Sequence, residues 1–94
     1  MKLIEVYIDE QYKDNLVDLL LEDGFDDFYY FSCHKYAATS MLLSEKEQVS
    51  GRKDYGVFRL FVQEDISILL IQKLQKIFNK DQMRIVSYSS LSEI

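Results

Sequence analysis

No proline and no tryptophan occur in the 94 residues of this chain, and glycine (three), cysteine (one) and histidine (one) are scarce. Each shortage closes off a class of protein. A single cysteine cannot form a disulfide within its own chain, and one cysteine plus one histidine falls short of the four ligands a zinc finger assembles. Basic residues are also in the minority, 11 against 16 acids for a net charge of −5, so the basic footprint needed to neutralise phosphates is missing and no nucleic-acid partner is expected. No apolar run approaches the ~18 residues that cross a bilayer. The opening MKLIEVYIDE places acids where a signal peptide has its apolar core, so a soluble cytoplasmic protein without membrane insertion is expected. What is present is 48% hydrophobic residues, including seven Tyr and six Phe. That suffices for one domain over 1–94 burying roughly 60–65% of its unfolded surface.

Charge is divided unevenly along the chain. Residues 1–47 carry four lysines and eleven acids, whereas residues 48–94 carry seven basic residues and five acids. Complementary halves of this kind suit self-association, and an acidic helix face in water would produce the same division.

The periodicity of the apolar residues alternates between strand and helix. Residues 2–8 (KLIEVYI) put Ile4, Val6 and Ile8 on one side and Leu3, Glu5 and Tyr7 on the other, which predicts a strand. From Asp9 to Asp23 the spacing becomes helical, with acids in the first turn and Gly24 where a left-handed cap is wanted. Residues 25–36 (FDDFYYFSCHKY) predict a long second strand, residues 55–63 (YGVFRLFVQ) a third and residues 83–88 (MRIVSY) a fourth. Residues 64–79 predict a second helix with Ile66, Leu70, Leu74, Ile77 and Phe78 along one side, acids at its start and lysines at its end. Between strands two and three, 37–54 reads as a long excursion, with a short helical turn over 44–49 suggested by SEKE. The order βαββαβ is that of an α+β ferredoxin-like sandwich: a four-stranded antiparallel sheet in spatial order 4-1-3-2 with both helices on one face. The other face then carries aromatics and aliphatics such as Tyr7, Tyr29, Phe31 and Phe61 or their alternating neighbours, too much apolar surface to leave in water, and packing against copies of itself would cover it.

Candidate chemistries are few. Gly51 and Gly56 have the spacing of a phosphate-binding loop, but Val57 and Phe58 stand where Lys and Ser/Thr are required and a strand follows where a helix is needed. Gly56 instead reads as a bend into the third strand. Asp23, Asp26 and Asp27 lack the alternating ligand pattern of a calcium loop. The aromatic YYF run lacks the basic and glycine signature of an RNA-recognition strand, and the first loop DEQYKDN lacks an acylphosphatase cradle. No enzyme chemistry is expected from this chain. Cys33 and His34 are adjacent on a strand and so point to opposite faces, which opposes a nucleophile–base pair. They read as ordinary strand residues or as soft-metal ligands brought together at a bend or across a symmetry axis, with Met41 a further soft donor nearby.

The succession KLIEVYI, a helix ending at EDGF, a long second strand, then GVFRLFVQEDI and a helix into a final strand resembles the PII superfamily of trimeric signalling proteins over nearly the whole chain. GF at 24–25, SCHK at 32–35 and LSEKEQVSGRKDYGVFRL at 43–60 resemble more closely an uncharacterised PII-like family often encoded beside heavy-metal efflux systems. That resemblance implies a homotrimer without catalysis, whose loop over 37–54 touches a partner, with a metal-efflux membrane transporter as the candidate. It also implies ligands in clefts between subunits. Glu47, Gln48, Val49, Gly51 and Arg52 match the family's block, which places Glu47, Gln48, Gly51 and Arg52 at such a cleft, and Arg52 would offer its planar fork to an anion or to a neighbour's carboxylate. His34 matches a histidine at the loop entry, and the efflux association makes Cys33 and His34 candidates for copper or zinc. The chain departs from nucleotide-binding PII proteins where NKDQMRIV and SYSSLSEI stand. A triphosphate would meet only Lys80 and Arg84 there, so ATP binding of the PII kind is not expected.

Overall fold

A computed structural model describes residues 1–37, 51–89 and 91–94. Strand β1 (Lys2–Asp9) is followed by a single 3-10 turn (Glu10–Tyr12), helix α1 (Lys13–Glu22), strands β2 (Tyr29–Tyr36) and β3 (Arg52–Val62), helix α2 (Glu64–Ile77) and strand β4 (Met83–Tyr88). All pairings are antiparallel and the sheet runs β2-β3-β1-β4, the expected order read from the other edge. Both helices lie on one face. Leu16 and Leu20 of α1 and Leu70 and Leu74 of α2 share one buried cluster with Ile4, Val6 and Ile8 of β1, Phe58 and Leu60 of β3 and Met83 of β4. Fully burying side chains of this size contributes about 1.5–3 kcal/mol each.

Local signals set the ends of the helices. Asp9 accepts a hydrogen bond from the Gln11 amide at 3.1 Å, closing the turn that leads into α1. At the other end Gly24 adopts φ +89°, its amide bonds to Leu21 O at 3.1 Å, and the Phe25 amide reaches back to Leu20 O at 2.9 Å. That is a Schellman cap, and it drops Phe25 against the same core. Helix α2 ends at Ile77 because Phe78 is already extended and turned inward. Its buried stripe is Ser67, Leu70, Leu74 and Phe78, while Ile66 and Ile77 are exposed, unlike the stripe expected from spacing. Ser67 tolerates burial because its hydroxyl donates to Glu64 O at 2.6 Å.

Three further expectations are corrected. Strand β2 begins at Tyr29 rather than at residue 25; Phe25 and Phe28 pack against the core from the irregular connection after α1. Strand β3 begins at Arg52 rather than Tyr55, with Arg52, Lys53 and Asp54 opposite Tyr36, Lys35 and His34. Here β2 and β3 run on beyond the end of β1 as a two-stranded ribbon, so polar side chains fill strand positions and mask the alternation. The expected helical turn over 44–49 lies outside the described residues. Gly56, finally, sits inside β3 opposite Ile8 and Ser32 instead of bending into it. The Tyr30 ring crosses the space where its side chain would be, and a Cβ there would meet Tyr30 Cε1 at 2.6 Å.

Tyr30 cannot move aside freely. It packs on Phe58 with ring centroids 4.9 Å apart, and its hydroxyl donates to Glu10 Oε2 at 2.7 Å. Gly56→Ala is therefore expected to cost about 1–3 kcal/mol through overpacking. Gly24→Ala, which meets no neighbour, is expected to cost only the left-handed strain of roughly 1–2 kcal/mol. Urea unfolding of both variants checks this; an unchanged midpoint for Gly56→Ala would remove the Tyr30 contact from the account.

Candidate functional site

The sheet face that the helices leave open is built by strict alternation. Cross-strand partners share a face, so Leu3, Glu5, Tyr7 and Asp9 of β1 stand with Phe61, Arg59, Val57 and Tyr55 of β3 and with Tyr88, Val86 and Arg84 of β4. On β2 the same face receives Tyr29, Phe31, Cys33 and Lys35. Tyr29, Phe31 and Phe61 are about half exposed (56%, 49% and 52%), and the rings of Tyr29 and Phe61 meet edge to face at 6.5 Å. The expected apolar surface is there.

At its centre lies a carboxylate. Glu5 is only 2% exposed although no helix covers it, because its neighbours fold over it. Tyr7 and Tyr88 donate their hydroxyls to Oε1 at 3.1 and 2.8 Å, and Arg59 donates Nε to Oε2 at 2.8 Å. The Arg59 guanidinium also lies over the Phe31 ring, 5.6 Å from its centroid. Burial alone would push the Glu5 carboxyl up, but the bonds from Tyr88 and Tyr7 and the charge of Arg59 outweigh it and hold the group below its ordinary value. The same bonds push Tyr7 and Tyr88 up.

A second cluster occupies the ribbon end of this face. Lys53 and Asp9 pair at 2.8 Å with both side chains 10% exposed, and burial of Asp9 is outweighed by Lys53 and by the bonds from Gln11, so its carboxyl also lies low. Lys35 sits over the Tyr55 ring at 5.2 Å, and Arg84 acts on the same ring. Among the described residues, the charges of Lys53, Arg84 and Asp9 thus all act on Tyr55.

The residues singled out in the sequence divide. Cys33 lies on the open face opposite Tyr55, its thiol pushed up by burial and by the charge of Glu10. His34 points to the other side, 3.9 Å from Asp54. The structure does not bring Cys33 and His34 together within the chain, and among the described residues no group of three or more His, Cys, Asp or Glu is placed to hold a metal ion. Gly51, at φ +69°, and Arg52 stand at the end of the β2–β3 ribbon, Arg52 exposed and on the face of His34 rather than that of Lys53. Glu47 and Gln48 lie outside the described residues. A shallow groove of about 440 Å³ lined by Asp23, Gly24, Phe25, Phe61, Val62, Gln63 and Ile66 shares only Phe61 with the open face. Its one ionisable group, Asp23, is already paired with Lys73 at 2.5 Å. No described helix is long and apolar enough to cross a membrane.

Glu5, Arg59, Tyr88 and the Asp9–Lys53 pair were missed by motif reasoning. The signal was available: one acid in the middle of IEVYI and one base in the middle of VFRLFV, on strands the topology makes neighbours. The acidic and basic halves of the sequence also meet first within the chain, through Glu5–Arg59, Asp9–Lys53 and Asp23–Lys73.

Comparison with known proteins follows the fold. The family described as "Protein of unknown function (DUF3240)" matches residues 1–92. No curated protein matches. Among solved structures, the chain is similar to CPII, a nitrogen regulatory PII-like protein from Thiomonas intermedia K12, bound to ADP, AMP and bicarbonate (TM-score 0.68, 16% identity, covering 93% of this chain and 86% of that one). It is similar to a DUF3240 family protein from Shewanella baltica OS155 (TM-score 0.68, 14% identity, 99% and 94% covered). It is also similar to CutA1 from Pyrococcus horikoshii (TM-score 0.66, 13% identity, 99% and 88% covered). At these identities the likeness is one of fold, and the fold is that of PII-like proteins.

Because Glu5 and Asp9 both lie below their ordinary values, the stability they contribute is complete above the usual carboxylate range and is lost as pH falls through their lowered values. Urea midpoints measured from pH 7 to pH 2 should fall for the wild type, and less steeply for Glu5→Gln and Asp9→Asn. Parallel curves for all three proteins would contradict the assignment.

Proposed function

Starting from the fact that this chain belongs to the DUF3240 family, we propose that it is a non-catalytic, PII-like regulatory protein that assembles as a homotrimer through its open sheet face and binds a small anionic effector at a cleft between subunits. The observation that carries this reading is the open face itself. Aromatic side chains surround a carboxylate already neutralised by Arg59, so the surface can leave water without stranding a charge. A protein whose surface is complete in solution has no need of such a face.

The effector reading draws on the ribbon end. Among the described residues Lys35, Lys53 and Arg84 stand on this face with the carboxylate of Asp9, and Gly51 and Arg52 stand at the tip of the same ribbon, Arg52 on its other face. An anion is the ligand such an excess of positive charge attracts. CPII, which has this fold, is bound to ADP, AMP and bicarbonate, and a nucleotide mono- or diphosphate or bicarbonate is therefore the class we propose here. Glu47, Gln48, Gly51 and Arg52 complete the cleft in this reading. In this reading the loop over 37–54 reports occupancy of the cleft to a partner, with a metal-efflux transporter as the partner to test first.

Native mass spectrometry and thermal melts with AMP, ADP, ATP, bicarbonate, Cu and Zn test the proposal. A trimer stabilised by AMP, ADP or bicarbonate is expected, with about 2.7 kcal/mol gained at a hundredfold excess over Kd. A monomer that none of them stabilises would contradict both assembly and sensing, while stabilisation by copper or zinc that is lost in Cys33→Ser would move the function to metal binding.

A further inference from the structure

Arg59 spends only part of its bonding capacity. A guanidinium carries five N–H donors in a fixed fork, and here Nε alone is used, on Glu5 Oε2, while the guanidinium carbon lies over the Phe31 ring, 5.6 Å from its centroid. The terminal amino groups have no hydrogen-bond partner among the described residues. Tyr7 and Tyr88 are the converse case. Each gives its proton to Glu5 Oε1, which leaves the lone pairs of both hydroxyl oxygens unused among the described residues. One small area of the open face therefore presents spare donors and spare acceptors side by side, within a frame of half-exposed Tyr29, Phe31 and Phe61.

A surface with both kinds of unused capacity is complementary to a copy of itself. Packing two such faces would bury the amino groups of Arg59, and a buried donor without an acceptor costs about 1–3 kcal/mol or more when charged. We propose that Arg59 keys the self-association of this chain: bound to Glu5 through Nε, it donates its terminal amino groups to oxygen acceptors on the open face of a second copy. The proposal rests on the open-face assembly above and adds the residue that sets its alignment. Phe31 and Glu5 act through Arg59, one as the ring beneath the guanidinium and the other as the partner of Nε, which leaves the terminal amino groups for the second copy. A lysine could keep the charge next to Glu5, but its single ammonium could not hold that carboxylate and present a second, oriented pair of donors.

Sedimentation equilibrium at pH 7, from 0.1 to 100 µM, reads the effect in wild type, Arg59→Lys and the double variant Glu5→Gln/Arg59→Gln, with far-UV circular dichroism reporting the fold. Wild type is expected to assemble, and both variants to be folded with self-dissociation constants raised by about 10- to 100-fold, the range for losing hydrogen bonds to a charged group. Variants that assemble within twofold of wild type would overturn the role of Arg59 while leaving the open-face assembly standing. If Arg59→Lys does not fold, the double variant, which keeps a neutral hydrogen-bonded pair, carries the same two outcomes. A wild type that remains monomeric throughout would overturn the assembly itself.

Discussion

The Glu5–Arg59 pair is the constraint around which the molecule is arranged. The two residues are direct cross-strand partners on β1 and β3, the two central strands of the sheet, and each stands in the middle of an otherwise apolar segment. A one-residue slip between these strands would carry one charge into the helix-covered core and leave the other unpaired, so the pair penalises any slip that exchanges the two faces. With that register set, Ile4, Val6 and Ile8 face Leu60, Phe58 and Gly56 beneath the helices, and Tyr7, Tyr29, Phe31 and Phe61 are assigned to the opposite face.

Much of this was legible in the sequence because it rests on periodicity and on backbone chemistry. The change from alternation in KLIEVYI to helical spacing after Asp9 marks the first strand and helix, and the requirement for φ above zero explains why Gly24 closes α1. The order βαββαβ then leaves few sheet arrangements, and the observed one is among them. Alternation also anticipated that Cys33 and His34 would face opposite sides. Legibility failed where a strand is polar. Arg52, Lys53 and Asp54 read as loop because, in a two-stranded ribbon beyond the core, no apolar partner selects for alternating side chains. It failed again where a residue's role depends on several strands at once: Glu5 needs Tyr7, Arg59 and Tyr88, and β4 enters the sheet beside β1 only through the crossover. Gly56 belongs to the same group, since its lack of a side chain answers to Tyr30 on the neighbouring strand.

The division of charge along the chain takes on a different meaning in three dimensions. Three acids of the first half, Glu5, Asp9 and Asp23, meet bases of the second, Arg59, Lys53 and Lys73, across the sheet and between its flanking elements, so that part of the asymmetry is satisfied within the chain. What remains is local. The centre of the open face is neutral and aromatic, which favours burial, whereas its ribbon end holds Lys35, Lys53 and Arg84 around Tyr55, which favours an anion. The proposed assembly surface and the proposed anion site lie at different places along one face, and β3 runs through both regions. Lys53 is six residues along one strand from Arg59, a short and continuous physical connection between the two regions.

Hydroxyl-radical footprinting across a protein concentration series tests most directly the claim that the open face is covered in the working form. Tyr29, Phe31 and Phe61 on the open face should lose reactivity together as concentration rises, while Ile68 and Leu69 on the exposed side of α2 stay reactive throughout. Equal and unchanging modification of both sets would contradict the account.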